Sequence, residues 1–165
     1  MQEAVEQQAL ALYEKAQGQP RDLSVELWVI DTNVVMDFIH FNDVNTAPIF
    51  QAIQEHRIQV LAHRAAFVEL YDVLSRPIFK ADPQSIEPTL AAWLEHCVLE
   101  SSPLESTSYC KDSDDDKFFE LAKVAGAQVL LSKDKLVFKA RHRARRFGCD
   151  VLKPVDALKR LAQKG

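Results

Sequence analysis

The chain has 165 residues, 47% of them hydrophobic and 27% charged, with a formal net charge of −4. That length suits one domain with a full core of its own, and the composition is ordinary for a soluble globular protein. No overall basic character advertises nucleic acid, and no apolar run approaches the roughly 20 residues needed to span a bilayer. Cys97, Cys110 and Cys149 are odd in number and widely spaced, which argues against a disulfide scaffold and against a structural zinc site. The first 17 residues are rich in Gln and Glu rather than basic and then apolar, so a reduced, cytoplasmic protein without a secretory leader is expected.

In chain order, Val5, Ala9, Leu12, Tyr13 and Ala16 give residues 3–17 one apolar stripe at helical spacing, ended by Gly18 and Pro20. This predicts an N-terminal helical extension over 1–22, ahead of a domain over 23–165. Residues 25–30 are nearly all apolar and read as a strand buried on both faces. After Asp31-Thr32-Asn33, helices are expected over 34–41 and about 46–56, and Ile58–Ala62 reads as a second strand. Phe67, Leu70, Val73 and Leu74 mark a helix over 64–75, closed by Pro77, and Pro83 and Pro88 frame another over about 84–96. A short strand at Cys97–Leu99 leads into a polar loop. Ser113 is placed to cap a helix over about 114–125 that stops at Gly126. A strand at Gln128–Leu131, a basic helix over 135–147, a strand at Asp150–Leu152 and a helix begun by Pro154 complete the chain. Strands alternating with helices imply an α/β fold, a parallel sheet covered on both faces.

Acidic residues stand where such a sheet exposes its ligand crevice. Asp31 closes one apolar run and Asp134 another, so both carboxylates are expected at the carboxyl ends of buried strands. Asp31-Thr32-Asn33 also suits a helix cap, its simpler reading, beside that of a ligating carboxylate with hydroxyl and amide neighbours to orient it, and Asp134 can simply pair with Lys133 or Lys135. The cluster Asp112-Ser113-Asp114-Asp115-Asp116 suits a helix first turn, where Ser113 and Asp116 resemble a capping box. Consecutive carboxylates repel one another, however, and Asp116 precedes the apolar Phe118, Phe119 and Leu121, which must face the sheet. Glu69 lies between Val68 and Leu70 on an amphipathic helix and can be a boundary residue with its head in water, with Asp72 a competitor. That much negative charge in one cleft is costly without a cation, and oxygen donors suit Mg²⁺ or Mn²⁺ and phosphoryl chemistry. Lys133, Lys135, Lys139, Arg141, Arg143, Arg145 and Arg146 form a basic stretch, opposed there only by Asp134, that reads either as a solvated helix face or as a phosphate-contacting rim. His40, His63 and His142 show no metal spacing and read as structural or surface residues.

Taken together, VIDTNVVMDFI at 29–39, AAFVELYDVLSRPIFK at 65–80, CKDSDDDKFFELAKVAGAQVLLSKDK at 110–135 and VLKPVDALKRL at 151–161 resemble the PIN-domain family of nucleases, particularly its bacterial toxin-like branch. The resemblance implies a three-layer α/β/α sandwich and a cleft for one or two Mg²⁺ or Mn²⁺ ions. It puts the family's acidic positions on Asp31, Glu69, Asp116 and Asp134, favours Glu69 over Asp72, and offers Asp114 or Asp115 as an additional ligand, with Asn33 and Ser132 in support. It further implies hydrolysis of single-stranded or unpaired RNA to 5′-phosphate and 3′-hydroxyl ends, with Lys133, Lys135, Lys139, Arg141 and Arg143 on the RNA backbone and an antitoxin as protein partner. Two departures stand out: Asp112-Ser113 replaces the usual Asp-Pro, and Ser132-Lys133-Asp134 replaces Thr-Gly-Asp, placing a cation beside the site. Residues 1–17 lie outside the resemblance and can pack on their own domain, form a homodimer or receive a partner. A second reading keeps the fold but makes the protein a binder or adaptor without turnover. An aspartate-based phosphatase is disfavoured because Asn33 stands where its second Asp belongs, and a receiver domain because its phosphoacceptor after a central strand is not located in the sequence.

Overall fold

Strands and helices alternate through a computed structural model that describes residues 3–104, 109 and 113–164. The strands are β1 (Glu26–Ile30), β2 (Ile58–His63), β3 (Cys97–Glu100), β4 (Val129–Leu131) and β5 (Asp150–Leu152). They pair in parallel in the order β3-β2-β1-β4-β5. The chain thus builds outward from β1 in one direction, returns, and continues on its other side with β4. The reversal leaves a crevice at the carboxyl ends of β1 and β4, where open α/β sheets bind their ligands.

Alternation along the strands feeds two cores. Trp28, Ile30, Val60, Ala62, Val129 and Leu131 face the layer formed by α1 (Glu3–Lys15), α2 (Thr32–Ile39), α3 (Ala47–Gln54), α4 (Arg64–Leu74), α5 (Pro83–Glu95) and α9 (Pro154–Lys164). Leu27, Val29, Leu61, Leu130 and Val151 face α6 (Asp116–Ala125), α7 (Lys135–Lys139) and α8 (Arg141–Arg145). A strand covered on both faces has no polar side to show, hence the unbroken apolar run before Asp31. The expected three-layer α/β/α sandwich is the observed one. Among the described residues no helix is long and apolar enough to cross a membrane.

The N-terminal helix is packed on the domain. α1 lies against α4, with Ala9 and Tyr13 in the core. The Tyr13 hydroxyl reaches the carbonyls of Glu100 (2.7 Å) and Ala62 (3.2 Å) and accepts the Glu100 N–H (3.1 Å), riveting α1 to the ends of β2 and β3.

Three local expectations need correction. Pro88 lies inside α5 rather than framing it; its exposed ring sits early in the helix, where the missing N–H forfeits one hydrogen bond and leaves a carbonyl to water. The basic stretch is not one helix but α7 and α8, broken at Ala140, whose φ of −90° and ψ of 9° turn the axis. Finally, α6 starts at Asp116, one residue after a 3-10 turn at Ser113–Asp115, and its N-cap residue is Asp115, which makes no side-chain capping bond. The Ser113 side chain, Cys110 and Asp112 lie outside the described residues. Gly126 ends α6 as anticipated, at a φ of 69° in the left-handed region that suits glycine.

Candidate active site

The register of β1 and β4 pairs Ile30 with Leu131, so the next residues, Asp31 and Ser132, leave the sheet side by side. The Asp31 N–H continues the ladder to the Leu131 carbonyl at 3.0 Å. Its carboxylate then does two jobs. Oδ1 caps α2 by accepting the Val34 N–H at 3.1 Å, and Oδ2 accepts the Ser132 hydroxyl. Asp31 is only 5% exposed. Burial pushes its carboxyl above the usual carboxylate range, and the nearby Asp134 adds to that push; the hydrogen bonds from Ser132 and Val34, and the Lys133 charge, oppose it.

Ser132 is equally enclosed and serves both acids: besides donating to Asp31, its oxygen accepts the Asp134 N–H at 3.0 Å. Asp134 caps α7 through Oδ1, which accepts the Leu136 N–H at 2.7 Å. Capping and convergence are therefore not rivals here. Asp31 and Asp134 are both N-caps, and it is the caps that aim two carboxylates at one crevice. Lys133, between Ser132 and Asp134, places Nζ 2.7 Å from Oδ2 of Asp37, a buried acid on α2.

A second chain of contacts starts at the neighbouring residue. The hydroxyl of Thr32, first residue of α2, donates to Oε2 of Glu69 on α4. Glu69 Oε1 lies 3.2 Å from the ammonium of Lys117, which also donates to the Asp114 carbonyl. Lys117 is the second residue of α6, so Glu69 is bound to the acidic turn through a lysine. Asp116 opens that helix, half-buried, and its Oδ1 accepts the Tyr109 N–H at 2.9 Å. Asp114 is exposed, and Asp115 has a solvent-shielded Oδ2. Asp72, the competitor of Glu69, pairs instead with Arg76 at 3.0 Å one helical turn away.

The remaining expected residues occupy varied positions. Asn33 is exposed on the first turn of α2. Lys135 and Lys139 are exposed on α7. Arg141 lies over the Phe138 ring at 4.4 Å, and Arg143 donates to the Tyr109 carbonyl. Tyr109 is thereby anchored by Asp116, by Arg143 and, through its own hydroxyl, by Glu120 at 2.6 Å, with its ring stacked on Phe119. His63 accepts the Ala65 N–H at 3.1 Å as the cap of α4, in keeping with its structural reading.

The donor set fits a hard divalent cation by its chemistry. It is all oxygen, carboxylates with hydroxyls beside them, and Asp31 is a desolvated acid that a cation would stabilise. As arranged, the carboxylates are held by hydroxyl, amide and ammonium protons. Among the described residues, no three His, Cys, Asp or Glu side chains form a ready cage. Sequence reasoning overlooked Asp37 and Lys117, and took the Thr32 hydroxyl as a neighbour orienting Asp31, whereas it binds Glu69. Asp37 had a faint signal, an acid between Met36 and Phe38 on a largely apolar helix.

The sequence profile of the PIN domain family matches residues 28–136. That span runs from β1 to the start of α7 and takes in Asp31, Glu69, Asp116 and Asp134. No curated protein and no solved structure matches the chain.

Proposed function

This chain belongs to the PIN domain family, and from that premise we propose that it is a metal-dependent endoribonuclease hydrolysing phosphodiester bonds of single-stranded or locally unpaired RNA. PIN domains are generally nucleases and typically use divalent metals. The observation that carries the reading is the buried Asp31 carboxylate at the β1–β4 crevice, bonded to Ser132 and adjoined on one side by Asp134 and on the other, through Thr32, by Glu69. Asp31, Glu69, Asp116 and Asp134, with Asp114 as an additional donor, would hold Mg²⁺ or Mn²⁺. Such an ion supplies an activated water and stabilises charge on the scissile phosphate. Ser132 and the Val34 amide fix the direction of the Asp31 carboxylate, and Thr32 does the same for Glu69. Lys133, Lys135, Lys139, Arg141 and Arg143 supply positive charge beside the crevice for phosphates, a contact that positions RNA without reading its sequence. We assign the protein to the toxin-like branch, with an antitoxin as the partner that occupies the cleft.

The test is cleavage of a fluorescent unpaired RNA by the purified protein with Mn²⁺, against chelator and against Asp31→Asn and Asp116→Asn. Loss of even an outer partner of a metal site typically costs 10–100-fold, so each variant should lose about a hundredfold or more. Activity retained by both variants would rule this site out. One observation favours the second reading, a binding protein without turnover: Lys117 already neutralises Glu69. That reading expects no cleavage and no divalent-ion uptake.

A further inference from the structure

We infer that Lys117 is a built-in counter-cation that a divalent ion must displace from Glu69, making it a positioning residue that sets metal affinity; this rests on the nuclease reading above. Glu69 has one oxygen bound by the Thr32 hydroxyl and the other by the Lys117 ammonium at 3.2 Å. Any ion that takes Oε1 displaces that ammonium. The pair is partly shielded, with side chains 22% and 29% exposed, so its attraction is screened less than that of a surface pair.

Helix electrostatics make the placement telling. Lys117 lies in the first turn of α6, where the exposed N–H dipoles disfavour a cation and favour an anion. A lysine there needs another source of stabilisation. It has Glu69, the Asp114 carbonyl, and the face of the Phe118 ring 4.8 Å from Nζ. An ammonium on a flexible four-carbon stem can hold these partners and still swing into water when a stronger cation arrives. The ion-free protein is thereby kept electrically balanced at Glu69, and the metal binds against an internal competitor. Lys133 differs, because its partner Asp37 is a buried acid of α2 outside the proposed ligand set.

The experiment measures Mn²⁺ binding to the full chain by calorimetry, with thermal unfolding in chelator and in Mn²⁺, for wild type, Lys117→Met, Lys117→Arg and Asp31→Asn. Lys117→Met should bind Mn²⁺ on the order of tenfold more tightly, unfold at lower temperature in chelator, and show a larger Mn²⁺-induced rise. Lys117→Arg should stay near wild type in affinity, and Asp31→Asn should lose binding. Should Lys117→Met fail to fold, Lys117→Gln carries the same expectation. Equal or weaker binding by the neutral variants overturns the inference alone. Absence of Mn²⁺ uptake by wild type and the neutral variants alike overturns both this inference and the proposed metal site.

Discussion

Removing the Ser132 hydroxyl should weaken the fold and the site together. Ser132 is 1% exposed, donates to Asp31 Oδ2 and accepts the Asp134 N–H, so Ser132→Ala deprives a buried carboxylate of a donor and an amide of an acceptor. Water can replace the acceptor at half-buried Asp134, which leaves the bond to the charged group as the main loss, about 2–3 kcal/mol. With a urea slope of about 2 kcal/mol/M for a domain of this size, the unfolding midpoint in chelator should fall by about 1–1.5 M at unchanged slope. A double-mutant cycle isolates the cause. In an Asp31→Asn background the partner is neutral, so Ser132→Ala should cost about 1 kcal/mol and the coupling should be about 1–2 kcal/mol. A midpoint shift below about 0.3 M, or full additivity of the two substitutions, would refute the claim that Ser132 acts through the Asp31 charge.

Further expectations follow from burial and backbone geometry. Because burial raises the folded-state pKa of Asp31, its contribution to stability is full below the unfolded value of about 3.9 and is lost as pH rises through the folded value. Urea unfolding in chelator should therefore show Asp31→Asn gaining on wild type between pH 4 and pH 7, and a pH-independent difference would contradict it. Tyr13→Phe removes the hydroxyl that joins α1 to Ala62 and Glu100, and should cost about 1–3 kcal/mol by tryptophan-monitored unfolding; no change would mean that α1 is held by packing alone. Gly126→Ala meets open space at a φ of 69° and should lower Tm by about 2–4 °C. Gly18→Ala, whose new Cβ would lie 2.5 Å from the Cys97 carbonyl oxygen, should lower it at least about twice as far, and equal shifts would show that the clash relaxes.

The central strands and the acids that follow them were legible because burial on both faces leaves Leu27–Ile30 and Val129–Leu131 wholly apolar before the chain emerges toward Asp31 and Asp134. Pattern alone could not say whether these acids cap or converge; it is pairing of β1 with β4, far apart in sequence, that makes them do both. The break at Ala140 went unseen because a helix-compatible stretch without Gly or Pro surrounds it, while Ala140 and Ala144 are both buried in the core on that side of the sheet. Lys117 drew no reading from the sequence, and Lys133 read there as part of a solvated face or a phosphate-contacting rim. Their partners, Glu69 and Asp37, are 48 and 96 positions away, a proximity that only tertiary structure creates.

The order β3-β2-β1-β4-β5 also governs when the crevice comes into being during synthesis. Asp31 and Ser132 are 101 positions apart, and at about 5–20 residues per second a ribosome needs about 5–20 s to travel from one to the other. A nascent chain that has released β1, β2 and β3 possesses Asp31 and Glu69 but no opposing wall. Translation thus delivers a chain without the Asp31–Ser132 pairing until β4 docks, and any product truncated ahead of that strand lacks this pairing by its own topology.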